Sequence, residues 1–204
     1  MLARATGIKR VHQLLLMRTF AALRPMAVLE VGAGNGVNLF VLSARFPDIR
    51  FTGIELTEAG VAATTAVMAA EQLPESVLEF APEPLVDRRA LTRLDVRQAD
   101  ATALPFADAS FDLVYTVQAL EVMDFVREDV LAEMRRVSRG YVAMVEPFYE
   151  WHASGHRREM IAAKGYFAQP IDGLEAFGLK PIVAMADMPH KLDYQPGLVV
   201  AESV

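Results

Sequence analysis

The sequence predicts an α/β fold, a doubly wound and mostly parallel sheet with helices on both faces. Two observations carry this. Short apolar runs bounded by glycine or proline alternate with longer segments of helical spacing, the pattern of βαβ units. Apolar residues make up 53% of the chain against 23% charged, enough to cover both faces of a sheet. Right-handed crossovers then distribute the helices over the two faces. At 204 residues, with no repeat and no low-complexity linker, one domain over 1–204 is expected.

The elements follow in order. Ile8, Val11, Leu14 and Leu15 recur at helical spacing with Lys9, Arg10, Gln13 and Arg18 between them, so an amphipathic helix occupies 1–24 and ends before Pro25. Ala27 to Val31 reads as a buried strand, Val37 to Phe46 as a helix stopped by Pro47, and Arg50 to Glu55 as a second strand. Glu58 to Leu73 is alanine-rich and helical up to Pro74. Residues 74–93 hold Pro82 and Pro84 and no clean period, so they read as an irregular insertion with a short helix near Asp87 to Leu91. Arg93 to Gln98 and Phe111 to Val117 read as the third and fourth strands. Val126, Val130, Met134 and Val137 form a helical stripe, and Tyr141 to Val145 a fifth strand. The tail adds a helical stretch at Ile171 to Phe177 and strand-like runs at Ile182 to Met185 and Leu198 to Ala201, which makes seven strands.

Composition removes several classes of function. There is no cysteine, which excludes disulfides, thiolate metal sites and cysteine nucleophiles together. The net charge of −6 and the absence of a Lys/Arg-rich block argue against a nucleic-acid partner. No apolar run approaches the ~20 residues of a membrane span, and Arg4, Lys9 and Arg10 precede no signal-peptide core, so a soluble cytoplasmic protein is expected.

The most informative segment is Val28 to Phe40, VLEVGAGNGVNLF, where a strand runs into Gly32, Gly34 and Gly36 and then into a helix. Glycines at such a turn permit positive φ and let a ligand touch bare backbone, and the helix start offers free N–H groups to an anion. A dinucleotide fingerprint fails here, because its third glycine would fall on Val37 or Leu39. A P-loop fails because no lysine lies between Arg10 and Lys164.

What remains, Glu30-Val31-Gly32-Ala33-Gly34-Asn35-Gly36, resembles motif I of the class I S-adenosylmethionine-dependent methyltransferases. The resemblance extends from about Ala27 to Pro147. It implies a Rossmann-like sheet whose last strand is antiparallel, S-adenosylmethionine as cofactor and S-adenosylhomocysteine as its product. By the same resemblance, Glu30, Gly32, Gly34, Gly36 and Asn38 form the cofactor loop. Glu55, with Leu56 beside it, accepts from the ribose hydroxyls. Asp100 accepts from the adenine amino group while the Ala101 N–H faces a ring nitrogen. Thr116, Val117 and Gln118 line the methionine portion. A carboxylate has only acceptors, which suits hydroxyl and amine donors.

The acceptor is less legible. Related small-molecule enzymes often have a histidine after a glutamate in the segment following the fourth strand; here Glu121 matches but Val122 replaces the histidine. The [DN]-P-P-[FY] motif of amide and base-amine methylases is absent, since its place holds Thr116-Val117-Gln118-Ala119. Residues 147–170 form an acceptor-side lid segment, with Tyr149, Trp151, His152 and His156 gathered near the carboxyl edge of the sheet. Aromatic walls and an imidazole suit a small acceptor with a hydroxyl. The general base stays open, and no metal is expected. The expectation is methyl transfer to a small molecule, at a hydroxyl oxygen, by a monomer or homodimer. A protein methyltransferase and a cofactor-binding protein without turnover are the alternatives.

Overall fold

The computed structural model describes residues 5–70, 72–152, 155–167, 169–187 and 196–204. Helix α1 spans Ala5–Leu23, β1 Ala27–Val31, α2 Val37–Arg45, β2 Arg50–Glu55 and α3 Glu58–Met68. A one-turn helix α4, Glu75–Leu78, and a 3-10 turn at Ala90–Arg93 lead into β3, Asp95–Gln98. Strand β4 is Phe111–Val117, α5 Arg127–Val137, β5 Ser138–Glu146, α6 Gly155–Lys164, β6 Leu179–Met185 and β7 Gly197–Ser203.

The seven strands lie in the order β3-β2-β1-β4-β5-β7-β6. Strands β1 to β5 are mutually parallel, and β7 runs antiparallel to both β5 and β6. Alternation along β1 sends Val28 to one face and Leu29 and Val31 to the other. The first face packs Leu16, Met17 and Phe20 of α1 and Leu39 to Leu42 of α2. The second packs Val130, Leu131, Met134 and Val137 of α5. Helices therefore cover both faces, as the alternating pattern requires.

Local differences from the sequence reading have local causes. Helix α3 ends at Met68 rather than Leu73, because the chain turns so that the Leu73 N–H can bond the Arg88 carbonyl at 2.9 Å. Arg93 sits in a 3-10 turn rather than in β3, where its guanidinium holds the Pro47 carbonyl and Asp87. The insertion anchors Val77, Ala90 and Leu91 in the core under α2, while its other residues stay half-buried or exposed.

The order of strands reverses between β1 and β4. In open α/β sheets, ligands bind outside the carboxyl ends of the strands at this reversal. The glycine turn leaves β1 there, and the loop after β4 faces it.

Candidate functional site

Gly32, Gly34 and Gly36 have φ of +75°, +57° and +76°, in the left-handed region that favours glycine. Each excludes a side chain differently. A Cβ on Gly32 would lie 2.5 Å from the Ala119 Cβ, and one on Gly36 would lie 2.6 Å from Thr64 Cγ2 and 2.7 Å from Phe40 Cζ. A Cβ on Gly34 would meet no protein atom within 4 Å. Gly32 and Gly36 are thus demanded by packing, whereas at Gly34 the free space is outside the protein, where a ligand can approach.

Two cavities flank this turn and share Gly32 and Gln118 as walls. The larger, of about 350 Å³, is lined by Glu55, Leu56, Asp100, Ala101, Met123 and Phe125 among others. The smaller, of about 240 Å³, is lined by Lys9, His12, Gly34, Asn35, Asn38 and Val117 among others. Leu56 and Phe125 are exposed apolar groups on the rim of the larger cavity.

Glu55 ends β2 and holds the turn. Its Oε2 accepts from the Gly34 N–H at 3.0 Å, and its Oε1 from the Thr57 N–H and hydroxyl at 3.0 and 2.7 Å. Partial burial works to raise its pKa, but the hydrogen bonds from Thr57, Gly34 and Leu56 outweigh it and hold the carboxyl below its ordinary value. Asp100 follows β3 and is fully exposed. Its Oδ1 accepts from the Thr102 N–H and hydroxyl at 2.9 and 2.8 Å, and those bonds keep it ionised below the usual carboxylate range. Two carboxylates therefore stand in one apolar cavity, both charged at neutral pH.

Glu30 lies elsewhere. It is fully buried beneath the turn, opposite Tyr115 in the β1–β4 register. It accepts from Asn38 Nδ2 at 2.7 Å and from the Tyr115 hydroxyl at 3.0 Å. Burial pushes its pKa up to about 8 against these two bonds. It reaches the smaller cavity only through Asn38, whose Oδ1 accepts in turn from Gln13 of α1.

The loop after β4 is fixed by Glu146 at the end of β5. That buried carboxyl accepts from the N–H groups of Ala119, Leu120 and Glu121 at 3.0 to 3.2 Å. Burial and the nearby Glu121 charge raise its pKa to about 8. Gln118, with φ +53°, bridges the two cavities here, and Thr116 is buried behind it. A strained non-glycine residue of this kind marks a position held by its surroundings.

The lid segment divides. Phe148 is buried and meets Trp151 and Phe167 edge-on at centroid distances of 5.5 and 5.3 Å, and the Trp151 ring fills the space where a Cβ on Gly197 would stand. Tyr149 is half-buried with the Arg158 guanidinium 4.5 Å from its ring centre. His156 is exposed on α6, 3.9 Å from Glu159. The side chain of His152 lies outside the described residues. The segment is tied to the cofactor-side loop by the Phe167 N–H, which donates to the Glu121 carbonyl at 3.0 Å. Tyr149, Trp151 and His156 line neither cavity.

Several residues on the cavity walls escape the sequence reading, among them Lys9, Asn35, Met123, Phe125 and His12. His12 falls on the stripe Ile8, His12, Leu16, at the i, i+4 and i+8 positions, and is 1% exposed. An imidazole on an otherwise apolar helix face was the available signal.

Comparison with known proteins decides the family. Residues 29–144 match the family model described as a methyltransferase domain. The chain belongs to this family, the class I S-adenosylmethionine-dependent methyltransferases. A curated relative, the malonyl-[acyl-carrier protein] O-methyltransferase of Laribacter hongkongensis, is 33% identical over 117 residues, 56% of the chain. The chain spans about a third of that relative's length, the match covering 34% of it. Among solved structures, a SAM-dependent methyltransferase from Methanosarcina mazei aligns with a TM-score of 0.64 at 16% identity, over 87% of this chain and 92% of the other. The magnesium protoporphyrin IX methyltransferase of Synechocystis PCC 6803, with S-adenosylhomocysteine bound, aligns with a TM-score of 0.64 at 12% identity, over 97% and 86%. At these identities the structural likeness establishes the fold.

The lining residues fit the family's cofactor by chemistry. Bare backbone at Gly34 opens outward, charged carboxylates stand in the larger cavity, and the buried His12 ring in the smaller one has no hydrogen-bond partner among the described residues.

Proposed function

We propose that the chain binds S-adenosylmethionine across the two adjoining cavities and catalyses transfer of its methyl group to a hydroxyl oxygen of a small molecule. The observation that carries this reading is that an acidic, apolar cavity and a backbone-rich one adjoin at the same glycine turn, with Gly32 and Gln118 lining both. Glu55 receives the ribose hydroxyls, in competition with Thr57 for Oε1. Asp100 and the Ala101 N–H hold the adenine, with Leu56 and Phe125 against its faces. Gly32, Gly34, Asn38, Thr116 and Val117 surround the methionine portion, with Gly36 setting the start of α2 and Glu30 supporting Asn38 from beneath.

When bound, the cofactor supplies a methyl group on a cationic sulfur whose departure leaves a neutral thioether. The chain's own contribution is alignment and exclusion of water. Gln118, whose N–H donates to the Val145 carbonyl at 3.0 Å beside the loop that Glu146 holds, forms the wall common to both cavities. The acceptor approaches over the 147–170 segment, with Glu121, Tyr149, Trp151, His152 and His156 as the polar and aromatic groups available to it. Oxygen as the receiving atom draws support from the O-methyltransferase named among the relatives.

Calorimetry with S-adenosylhomocysteine tests the first half, and a mass-shift screen of hydroxyl and carboxyl compounds with S-adenosylmethionine tests the second. Binding without any methylated product would leave a cofactor-binding protein. Methylation of co-incubated polypeptide in place of small molecules would make it a protein methyltransferase. No heat with S-adenosylhomocysteine would end the reading.

A further inference from the structure

The smaller cavity contains a buried group without a partner. His12 is 1% exposed, both ring nitrogens lack a hydrogen-bond partner among the described residues, and the ring lines the space facing Gly34 and Asn35. Burial and the neighbouring Lys9 charge push its pKa down to about 4, so the ring is neutral, with one N–H donor and one bare nitrogen. Buried polar groups in folded proteins are almost always satisfied, so such a ring points to a partner that arrives from outside the chain.

The position of His12 is not adjustable. Its neighbour Gln13 is fully buried and donates to Asn38, which donates to Glu30, which accepts from Tyr115. This chain of bonds registers α1 against the glycine turn, while Leu16, Met17 and Phe20 lock the next turns of the helix into the core.

The same cavity contains the start of α2. That nine-residue helix has Gly36 at its N-cap, no side-chain cap and no acidic residue in its first turn. Its leading N–H groups and the positive end of its dipole are therefore open to an anion. Lys9 adds a cation at the mouth. All three features select negative charge, in contrast to the two carboxylates of the larger cavity.

We infer that His12 donates a hydrogen bond to the carboxylate of the cofactor's amino-acid end, so that α1 is the element that distinguishes the whole cofactor from its truncated nucleoside. This rests on the cofactor reading above. His12 acts here as a binding residue. A buried ring that resists protonation is a poor general base, so the acceptor's proton goes elsewhere.

The test compares two ligands by calorimetry, S-adenosylhomocysteine and 5′-methylthioadenosine, which lacks the amino-acid end. His12→Phe keeps the ring volume and removes the donor. It is expected to weaken S-adenosylhomocysteine roughly ten- to a hundredfold, the worth of one hydrogen bond to a charged group, and to leave methylthioadenosine unchanged. His12→Gln, which retains an N–H, should recover part of the loss. On the unaltered protein, the His12 imidazole nitrogen resonances should move with S-adenosylhomocysteine and stay in place with methylthioadenosine, a readout that stands even if neither variant folds. Unchanged S-adenosylhomocysteine affinity in His12→Phe, an equal loss for both ligands, or a silent imidazole would each overturn the inference while leaving the cofactor reading intact. If the unaltered protein binds neither ligand, the cofactor reading falls and this inference with it.

Discussion

Glu146 accepts the Ala119 N–H at 3.0 Å, and the Ala119 Cβ lies 2.5 Å from where a side chain on Gly32 would begin. The end of β5 thus sets how closely the loop after β4 can approach the turn after β1. Removing the carboxyl in Glu146→Ala leaves three N–H groups without this acceptor, two of them buried and one half-buried, at about 1–3 kcal/mol for each buried one. The expected result is a Tm loss of many degrees. Glu146→Gln, which keeps an acceptor, should lose far less, and comparable losses for the two would refute the role of those bonds.

The three glycines of the turn should separate by readout. Gly32→Ala and Gly36→Ala both combine a left-handed φ with contacts under 3 Å, so thermal melts should reveal the loss in the free protein. Gly34→Ala meets no protein atom, so only the backbone strain of about 1–2 kcal/mol remains. Its main effect is expected in calorimetry with S-adenosylhomocysteine, where the methyl group occupies ligand space. A Gly34→Ala protein that melts early yet binds normally would contradict this division.

The turn and the seven strands were legible because each rests on a local pattern, glycine after an apolar run or period two against period 3.6, whereas the strand order that sets the reversal point is a long-range property. Gln13 and His12 were not. The amphipathic reading of α1 assigns Gln13 to the wet side with Lys9 and Arg10, whereas the structure buries it completely against Asn38. Periodicity separates polar from apolar positions, and it is blind to a polar group whose partner lies on another element. The same blindness hides Glu30, whose place in motif I suggests ligand contact while its side chain bonds Asn38 and Tyr115 in the interior.

Glu30 also gives the fold a pH dependence of definite sign. Its ordinary value of 4.5 applies when the chain is unfolded, and burial raises it to about 8 when folded. Between those values the folded chain retains a proton that the unfolded chain has released. Its contribution is complete below the lower value and is lost as pH rises through the upper one. One such group contributes a slope approaching about 1.4 kcal/mol per pH unit. Melts from pH 5 to 8 should therefore show falling Tm, and Glu30→Gln, which never titrates, should flatten the fall. Glu146, raised for the same reason, keeps a fall in the variant above about pH 6.5, while below it His12, lowered to about 4, contributes the opposite slope. An unchanged slope in Glu30→Gln would show that Glu30 ionises freely inside the fold.

Asp100 offers the sharpest test of how the larger cavity reads its ligand. Its ionised carboxyl has acceptors only, with Oδ1 already occupied by both Thr102 donors. The adenine amino group is a donor and complements it. Hypoxanthine presents a carbonyl at the same place, which would set acceptor against acceptor. Calorimetry should therefore find S-inosylhomocysteine much weaker than S-adenosylhomocysteine on the unaltered protein. In Asp100→Asn the side-chain amide can turn a donor toward the ring, so the gap between the two ligands should shrink. The gain comes from both directions, a poorer match for the amine and a new partner for the carbonyl. Because Asp100 is fully exposed, the substitution should leave the fold nearly untouched, and Tm provides the control. An undiminished preference for the adenosyl ligand in Asp100→Asn would mean that the purine edge is read by backbone groups alone, with Ala101 the first to examine.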